Sequence, residues 1–137
     1  MKFKIATFDI VKTNNKQKHT MKPITEIASS FSGGKFEEVA DYIADDVEWN
    51  IYEEKMVVSG KSEVLKFCRS VAEYFKSVTT KFEMYGMVAD DSKVSIYGRA
   101  EFIREGETVN IVHSCDVYEF DGEWKMLKIY SYCNSKQ

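Results

Sequence analysis

Apolar residues in the first half of the chain recur mainly at the three- and four-residue spacing of one helix face. The clearest example follows Pro23, and Gly33-Gly34 ends it as a helix stop. The segment around Trp49 differs, because apolar and polar residues alternate there as they do in a strand. The pattern therefore predicts helices at residues 23–32, 36–43 and 61–77 and a strand at residues 45–54.

Beyond residue 77, every apolar run has the alternation and the aromatic and β-branched content of a strand. Three short turn sequences separate four such runs: Asp90-Asp91-Ser92, Glu105-Gly106 and Asp121-Gly122. The last is the strongest hairpin signal in the chain. Connections of this length predict a four-stranded antiparallel meander. Helices gathered before such a sheet predict an α+β fold with the helices on one face.

At least one of the predicted strands is apolar on both faces. In the run over residues 93–104, Val94, Ile96 and Phe102 share one face, while Tyr97 and Ile103 lie on the other. An antiparallel sheet usually leaves one face to solvent, and the helices cover only one face. The outer face is therefore predicted to be covered by a second copy of the chain, in a homodimer.

Composition limits the function classes. The 137 residues fit one domain, and a net charge of −3 without a basic, aromatic-rich stripe argues against nucleic-acid binding. No apolar run reaches the ~20 residues that span a bilayer. An odd number of cysteines, three, without a close pair and without a signal-peptide pattern indicates a reducing cytoplasm. With only two histidines, no metal site is predicted, and no cofactor is implied.

The first 20 residues differ in composition from the rest, being polar and rich in lysine. We interpret residues 1–20 as an N-terminal extension and residues 21–137 as the domain. The segment Phe3–Val11 could add an edge strand, or the extension could be a flexible arm, and the pattern leaves both open. Because the extension has few apolar side chains, we predict that the domain folds without it.

Three stretches of the chain resemble the nuclear transport factor two-like superfamily, and within it the SnoaL-like and ketosteroid isomerase-like branch. They are FSGGKFEEVADYIADDVEWN, VVSGKSEVLKFC and DVYEFDGEWKMLKIYSYC, and the resemblance runs from about Pro23 to Asn134. It implies a cone-shaped, curved antiparallel sheet that wraps around the N-terminal helices and encloses a pocket, commonly in a homodimer. Because this fold hosts many activities, the resemblance predicts the fold more strongly than the reaction.

Steroid isomerases of this branch use three residues, and the resemblance carries over only one of them. The position of their proton-shuttling aspartate is Ile51, and that of their oxyanion tyrosine is Ile27. Their second acid is matched by Asp116. In those enzymes the second acid stays protonated in its apolar site and donates a hydrogen bond to the oxyanion. Without the other two groups, steroid isomerisation is not expected.

The resemblance implies that the strand face carrying Asp116 is turned towards the pocket. Loss of hydration there would raise the pKa of the Asp116 carboxyl. One hypothesis is an isomerase, lyase or cyclase that acts on a small apolar carbonyl compound, with Asp116 as acid, base or hydrogen-bond donor. The other is a non-catalytic ligand-binding or dimerisation module. A structural role, in which Asp116 accepts a hydrogen bond from a tyrosine, is also open. The candidate pocket residues are Phe31, Trp49, Ile51, Phe75, Ser114, Tyr118 and Tyr132.

Overall fold

Two α-helices, a 3-10 helix and six strands make up residues 22–136, the part of the chain that the computed structural model describes. The predicted N-terminal extension, residues 1–20, lies outside these residues. The elements are α1 (Ile24–Ser32), the 3-10 helix (Phe36–Tyr42), β1 (Ile43–Ile51), β2 (Met56–Ser59), α2 (Lys61–Lys76), β3 (Thr79–Ala89), β4 (Lys93–Arg104), β5 (Glu107–Phe120) and β6 (Met126–Lys136).

The predicted helices are present at nearly the predicted positions. α1 begins directly after Pro23 and ends at Gly33, whose N–H donates to the carbonyl of Ser29 at 2.9 Å. The second predicted helix is a 3-10 helix, and Ile43 belongs to β1 rather than to that helix. Within residues 22–136, no helix combines the length and the apolar character needed to cross a membrane.

The six strands form one sheet in the order β2-β1-β6-β5-β4-β3, and its two edge strands do not pair to close it. The predicted meander of β3 to β6 is confirmed as antiparallel. The whole sheet is mixed rather than purely antiparallel, because β1 pairs in parallel with β6, with Trp49 beside Ile129. The chain crosses through β2 and α2 to the far edge and returns along the meander, which brings β6 to β1 in the same direction.

The connection between β5 and β6 is longer than the predicted two-residue turn at Asp121-Gly122. It spans residues 121–125, and β6 begins only at Met126. The side chain of Asp121 accepts the backbone N–H of Glu123 at 2.8 Å and of Lys125 at 3.0 Å. These two bonds stabilise a wider loop, in which Trp124 adopts a left-handed backbone with φ of 66°.

The core lies between the inner face of the sheet and the helices. Its centre, which we call the aromatic core, consists of Phe31, Phe36, Trp49, Phe67 and Tyr118. The rings meet edge to face, with centroids 5.0 to 5.9 Å apart, a geometry that aromatic quadrupoles favour.

α2 packs on the aromatic core through a stripe that contains Cys68. Burial raises the pKa of the Cys68 thiol to about 12. At neutral pH the thiol is therefore protonated, as expected of a packing residue rather than a nucleophile.

Candidate functional site

The centre of β5 turns a carboxylate towards the helices. Alternation along the strand places Ser114, Asp116 and Tyr118 on the inner face, and Tyr118 is almost fully buried. His113 lies on the other face and is exposed. On the neighbouring strands, Asp116 pairs with Ile96 of β4 and Ser131 of β6.

A cavity of about 130 Å³ lies between the end of α1 and strands β3, β4 and β5. Its size is close to the ~150 Å³ of an engineered cavity that binds benzene. Asp116 and Ser114 are both on its wall. The complete lining is Ser29, Ser32, Gly33, Phe82, Glu83, Met84, Ile96, Tyr97, Gly98, Arg99, Ala100, Ser114 and Asp116.

Small residues create this space. α1 contributes two serines and Gly33 to the wall, and β4 contributes Gly98 and Ala100. A Cβ atom at Gly98 would overlap the carbonyl oxygen of Glu83, so the backbone of β3 lies against β4 at this point. Only glycine allows that approach, which accompanies a bulge in β3. Phe82 and Met84 of β3 are about half exposed and flank the opening.

The carboxyl of Asp116 is largely surrounded by protein, with its remaining exposure towards the cavity. Burial raises its pKa from 3.8 to about 6, the direction that the sequence predicted. The hydroxyls of Ser131 and Ser32 donate hydrogen bonds to it and oppose the shift. The group can therefore gain or lose a proton near neutral pH.

The two serine donors tie Asp116 to the aromatic core. The indole N–H of Trp49 donates to Oγ of Ser131 at 2.9 Å, in a buried bond between β1 and β6. Since the indole fills an acceptor position of that oxygen, the Ser131 proton remains available to Asp116. Ser32 also forms a hydrogen bond with the hydroxyl of Tyr118. Burial raises the pKa of that hydroxyl well above its usual value. The partners of Asp116 are thus serines and not the tyrosine considered from the sequence.

The structure brings Asp116 and Ser114 together and places the other predicted pocket residues elsewhere. Phe31, Trp49, Ile51 and Tyr118 are buried in the core and are absent from the cavity wall. Their role in ligand binding stays a prediction.

The two remaining predicted residues, Phe75 and Tyr132, also lie outside the cavity wall. Phe75 stacks on Phe102, with centroids 6.0 Å apart. Tyr132 lies on the outer face of the sheet and stacks on Tyr52 with centroids 4.8 Å apart. A ligand in the cavity would be on the opposite side of the sheet from Tyr132.

Sequence reasoning missed Ser32 and Ser131, although one of them had a detectable signal. Ser131 occupies an inward position between Ile129 and Cys133 in the alternation of β6, where an apolar residue is usual. Ser32 stands at the end of α1, and only the packing of α1 on the sheet brings it to Asp116. Within residues 22–136, no cluster of histidine, cysteine or acidic side chains is arranged to bind a metal ion.

The curved sheet and the helices over one of its faces define the class of protein. The SnoaL-like domain model matches residues 24–126, about three quarters of the chain. The chain therefore belongs to the SnoaL-like family of the nuclear transport factor two-like superfamily, and its fold is the cone of that superfamily. No curated protein sequence matches it with significance.

Several solved structures are similar to this chain. An NTF2-like protein of unknown function from Cytophaga hutchinsonii is 30% identical, with a TM-score of 0.69 over 80% of this chain and 95% of that one. A SnoaL-like protein of unknown function from Burkholderia thailandensis is 15% identical, with a TM-score of 0.58 over 77% and 86%. A protein provisionally named a SnoaL-like polyketide cyclase, from Shewanella denitrificans, is 10% identical, with a TM-score of 0.63 over 81% and 90%. The last two similarities show the fold alone.

Proposed function

We propose that this SnoaL-like protein binds a small apolar carbonyl compound and moves a proton on it with Asp116, as an isomerase, lyase or cyclase does. One observation carries the proposal: a carboxyl with a pKa of about 6 stands on the wall of a cavity. A proton-transfer group works best when its pKa is near the operating pH. Perturbed carboxyls in concave sites are typical of such groups.

The pKa determines the direction of the proton transfer. At pH 7, Asp116 is about nine-tenths ionised, because the pH lies roughly one unit above its pKa. It therefore acts as a base rather than as the neutral donor expected from the family. The carboxylate takes a proton from the carbon next to the carbonyl, the C–H bond breaks, and its electron pair moves towards the carbonyl oxygen. Return of the proton to another position completes an isomerisation.

The relatives support the substrate class and leave the substrate itself open. Three proteins of the same fold have provisional names as polyketide cyclases, and polyketides are rich in carbonyl groups. Steroid isomerisation is not proposed, because Ile51 and Ile27 occupy the two other catalytic positions and both are buried.

Exchange of α-hydrogens for deuterium tests the proposal. Cyclohexanone in D₂O is incubated with the protein, and proton NMR follows loss of its α-hydrogen signal. With the wild-type protein, we expect exchange to be faster than in buffer alone and its rate to rise as the pH increases through about 6. With Asp116→Asn, the rate should fall to that of buffer alone. Ser95→Ala, on the opposite face of β4, is the control and should exchange at the wild-type rate. Equal exchange in wild type and Asp116→Asn would contradict the proposal.

A non-catalytic ligand-binding module is the second candidate. Ile51 and Ile27 support it, because they stand where the steroid isomerases have their proton-shuttling aspartate and their oxyanion tyrosine. Asp116 therefore lacks both of these catalytic partners. Saturable binding of cyclohexanone, seen as shifts of the amide signals of β4 and β5, without deuterium exchange would favour this candidate over the enzyme.

We also propose that the protein is a cytoplasmic homodimer that pairs through the outer face of the sheet. Val88 and Tyr132 lie on that face and are at least half exposed. Large apolar side chains exposed on one face of a sheet are typical of interfaces. The three cysteines are free, in keeping with a reducing compartment. Light scattering at tens of micromolar should give about twice the chain mass of 15.9 kDa. A monomer would contradict the dimer.

A further inference from the structure

Two serine hydroxyls on the cavity wall have no assigned partner. Ser29 and Ser114 both line the cavity, and within residues 22–136 neither side chain has a hydrogen-bond partner. Ser32 and Ser131 differ, because their hydroxyls already donate to Asp116. A hydroxyl that borders a small, mainly apolar cavity loses part of its hydration without compensation. The hydroxyls of Ser29 and Ser114 are therefore free to form hydrogen bonds with a ligand.

The fold places these two hydroxyls on opposite walls. Ser29 is one turn before Ser32 on α1, so both project from one helix face towards the sheet. Ser114 lies two residues before Asp116 on the inner row of β5, roughly 7 Å away along the strand. Its neighbour on β4 is Gly98, which has no side chain to fill the space beside it.

The charges around the cavity favour a neutral ligand. Arg99 is the basic residue that borders the cavity, but it pairs with His113, so its guanidinium lies towards the outer face, 3.7 Å from Glu83 and 3.9 Å from Glu101. Asp116, mostly ionised at neutral pH, accepts hydrogen bonds but donates none. An anion or an isolated acceptor oxygen would therefore be repelled by Asp116 and would need neutral donors elsewhere in the cavity.

We infer that Ser29 and Ser114 bind the carbonyl oxygen of the ligand and so turn its α-carbon towards Asp116. This inference rests on the proposed function and makes the substrate class narrower. The class is neutral ketones or enones whose buried part is about one six-membered ring, the size that a cavity of 130 Å³ admits. As Asp116 takes the α-proton, negative charge grows on the carbonyl oxygen, and the two hydroxyls stabilise it. The apolar part of a larger ligand extends out of the cavity between Phe82 and Met84.

A pair of matched probes tests the assignment. Cyclohexanone and methylenecyclohexane have nearly the same shape, and only the ketone has an acceptor oxygen. Their dissociation constants are measured by NMR titration for wild type, Ser29→Ala and Ser114→Ala, with Ser30→Ala as the control on the same helix, outside the lining. Each lining variant should weaken ketone binding about five-fold, the effect of one typical hydrogen bond, and leave hydrocarbon binding unchanged. Ser30→Ala should change neither.

A second measurement needs no variant. The infrared carbonyl stretch of cyclohexanone bound to wild type should lie below its value in hexane, because hydrogen bonds weaken the C=O bond. A stretch equal to that in hexane, or ketone affinities unchanged in both serine variants, would overturn the assignment while the cavity remains a ligand site. Failure of both probes to bind would instead overturn the proposed function together with it.

Discussion

The aromatic core and the cavity lie side by side between α1 and the sheet, but they are built from opposite kinds of residue. In the core, large rings pack edge to face, and the ring of Phe31 contacts three others, those of Phe36, Trp49 and Tyr118. Around the cavity, serines, glycines and an alanine leave the space open. Phe31 and Ser32 are adjacent on α1, yet one packs in the core and the other lines the cavity.

The contrast shows that a pocket is found where side chains are small rather than where they are aromatic. Close packing leaves little room around large rings that meet each other, since protein interiors have the density of organic crystals. The aromatic core still serves the cavity, because Trp49 orients Ser131 and Ser131 donates to Asp116.

The largest expected effect separates the two regions by stability. Phe31→Ala should lower the free energy of unfolding by about 3–5 kcal/mol, because it removes the ring shared by three aromatic contacts. Ser29→Ala, two residues away on α1 and on the cavity wall, should change it by less than about 1 kcal/mol. Urea denaturation measures both. Similar losses in the two variants would mean that core and cavity are not distinct.

The second prediction concerns pH. Because the folded pKa of Asp116 is raised, its contribution to stability is present below about pH 4 and is lost as the pH rises through about 6. Relative to wild type, Asp116→Asn should therefore gain up to about 3 kcal/mol between pH 4 and pH 8. Thermal or urea unfolding over this range measures the gain.

Asp90 provides a control of opposite sign. The backbone N–H groups of Ser92 and Lys93 lower the pKa of its exposed carboxyl. Its stabilising effect is present at neutral pH and is lost in acid, so Asp90→Asn should be less stable than wild type at pH 7 and approach it as the pH falls. A stability difference between Asp116→Asn and wild type that does not vary with pH would show that Asp116 titrates normally.

The third prediction closes the cavity. Gly98→Ala places a methyl group against the carbonyl of Glu83, which should cost about 1–3 kcal/mol and abolish binding of cyclohexanone. Gly122→Ala is the matched control, since nothing lies within 4 Å of its Cβ position, and its effect should stay within about 0.5 kcal/mol. Full binding by a stable Gly98→Ala protein would place the ligand elsewhere.

The smallest expected effect tests the link between the two regions. Ser131→Ala removes a donor that favours the charged carboxylate, so the pKa of Asp116 should rise further above about 6. Titration of the ¹³C carboxyl signal of Asp116 measures it. Ser95→Ala, on the outer face, should leave that titration unchanged. A fall of the pKa in Ser131→Ala would contradict the hydrogen-bonded arrangement.

Most of the fold could be predicted from periodicity, because helix faces and alternating strands leave a local trace in the sequence. The helix before Gly33 and the meander from β3 to β6 follow from such traces. The parallel pairing of β1 with β6 could not be derived, since it joins segments about 80 residues apart. β2 was not predicted because its four residues are too few for an alternation of apolar and polar types to stand out.

The candidate site could be predicted only in part, for a related reason. Asp116 was visible as a charged residue in an apolar strand. Ser114 stands two residues before it, and alternation along a strand places the two side chains on the same face. The cavity depends instead on the absence of side chains at Gly33 and Gly98 and on the packing of α1 against β4 and β5. Missing volume leaves no apolar signal in the sequence, and so the aromatic residues were the natural candidates for pocket walls.

The ligand is expected to occupy the cavity at Asp116 and not the aromatic core. Intermolecular NOEs between cyclohexanone and the ¹³C-labelled protein distinguish the two locations. We expect NOEs to the side chains of Met84, Ile96 and Ala100, which line the cavity. NOEs to Phe67 and Ile129 of the core, or to the exposed pair of Tyr52 and Tyr132, without contacts to those three residues would contradict this location.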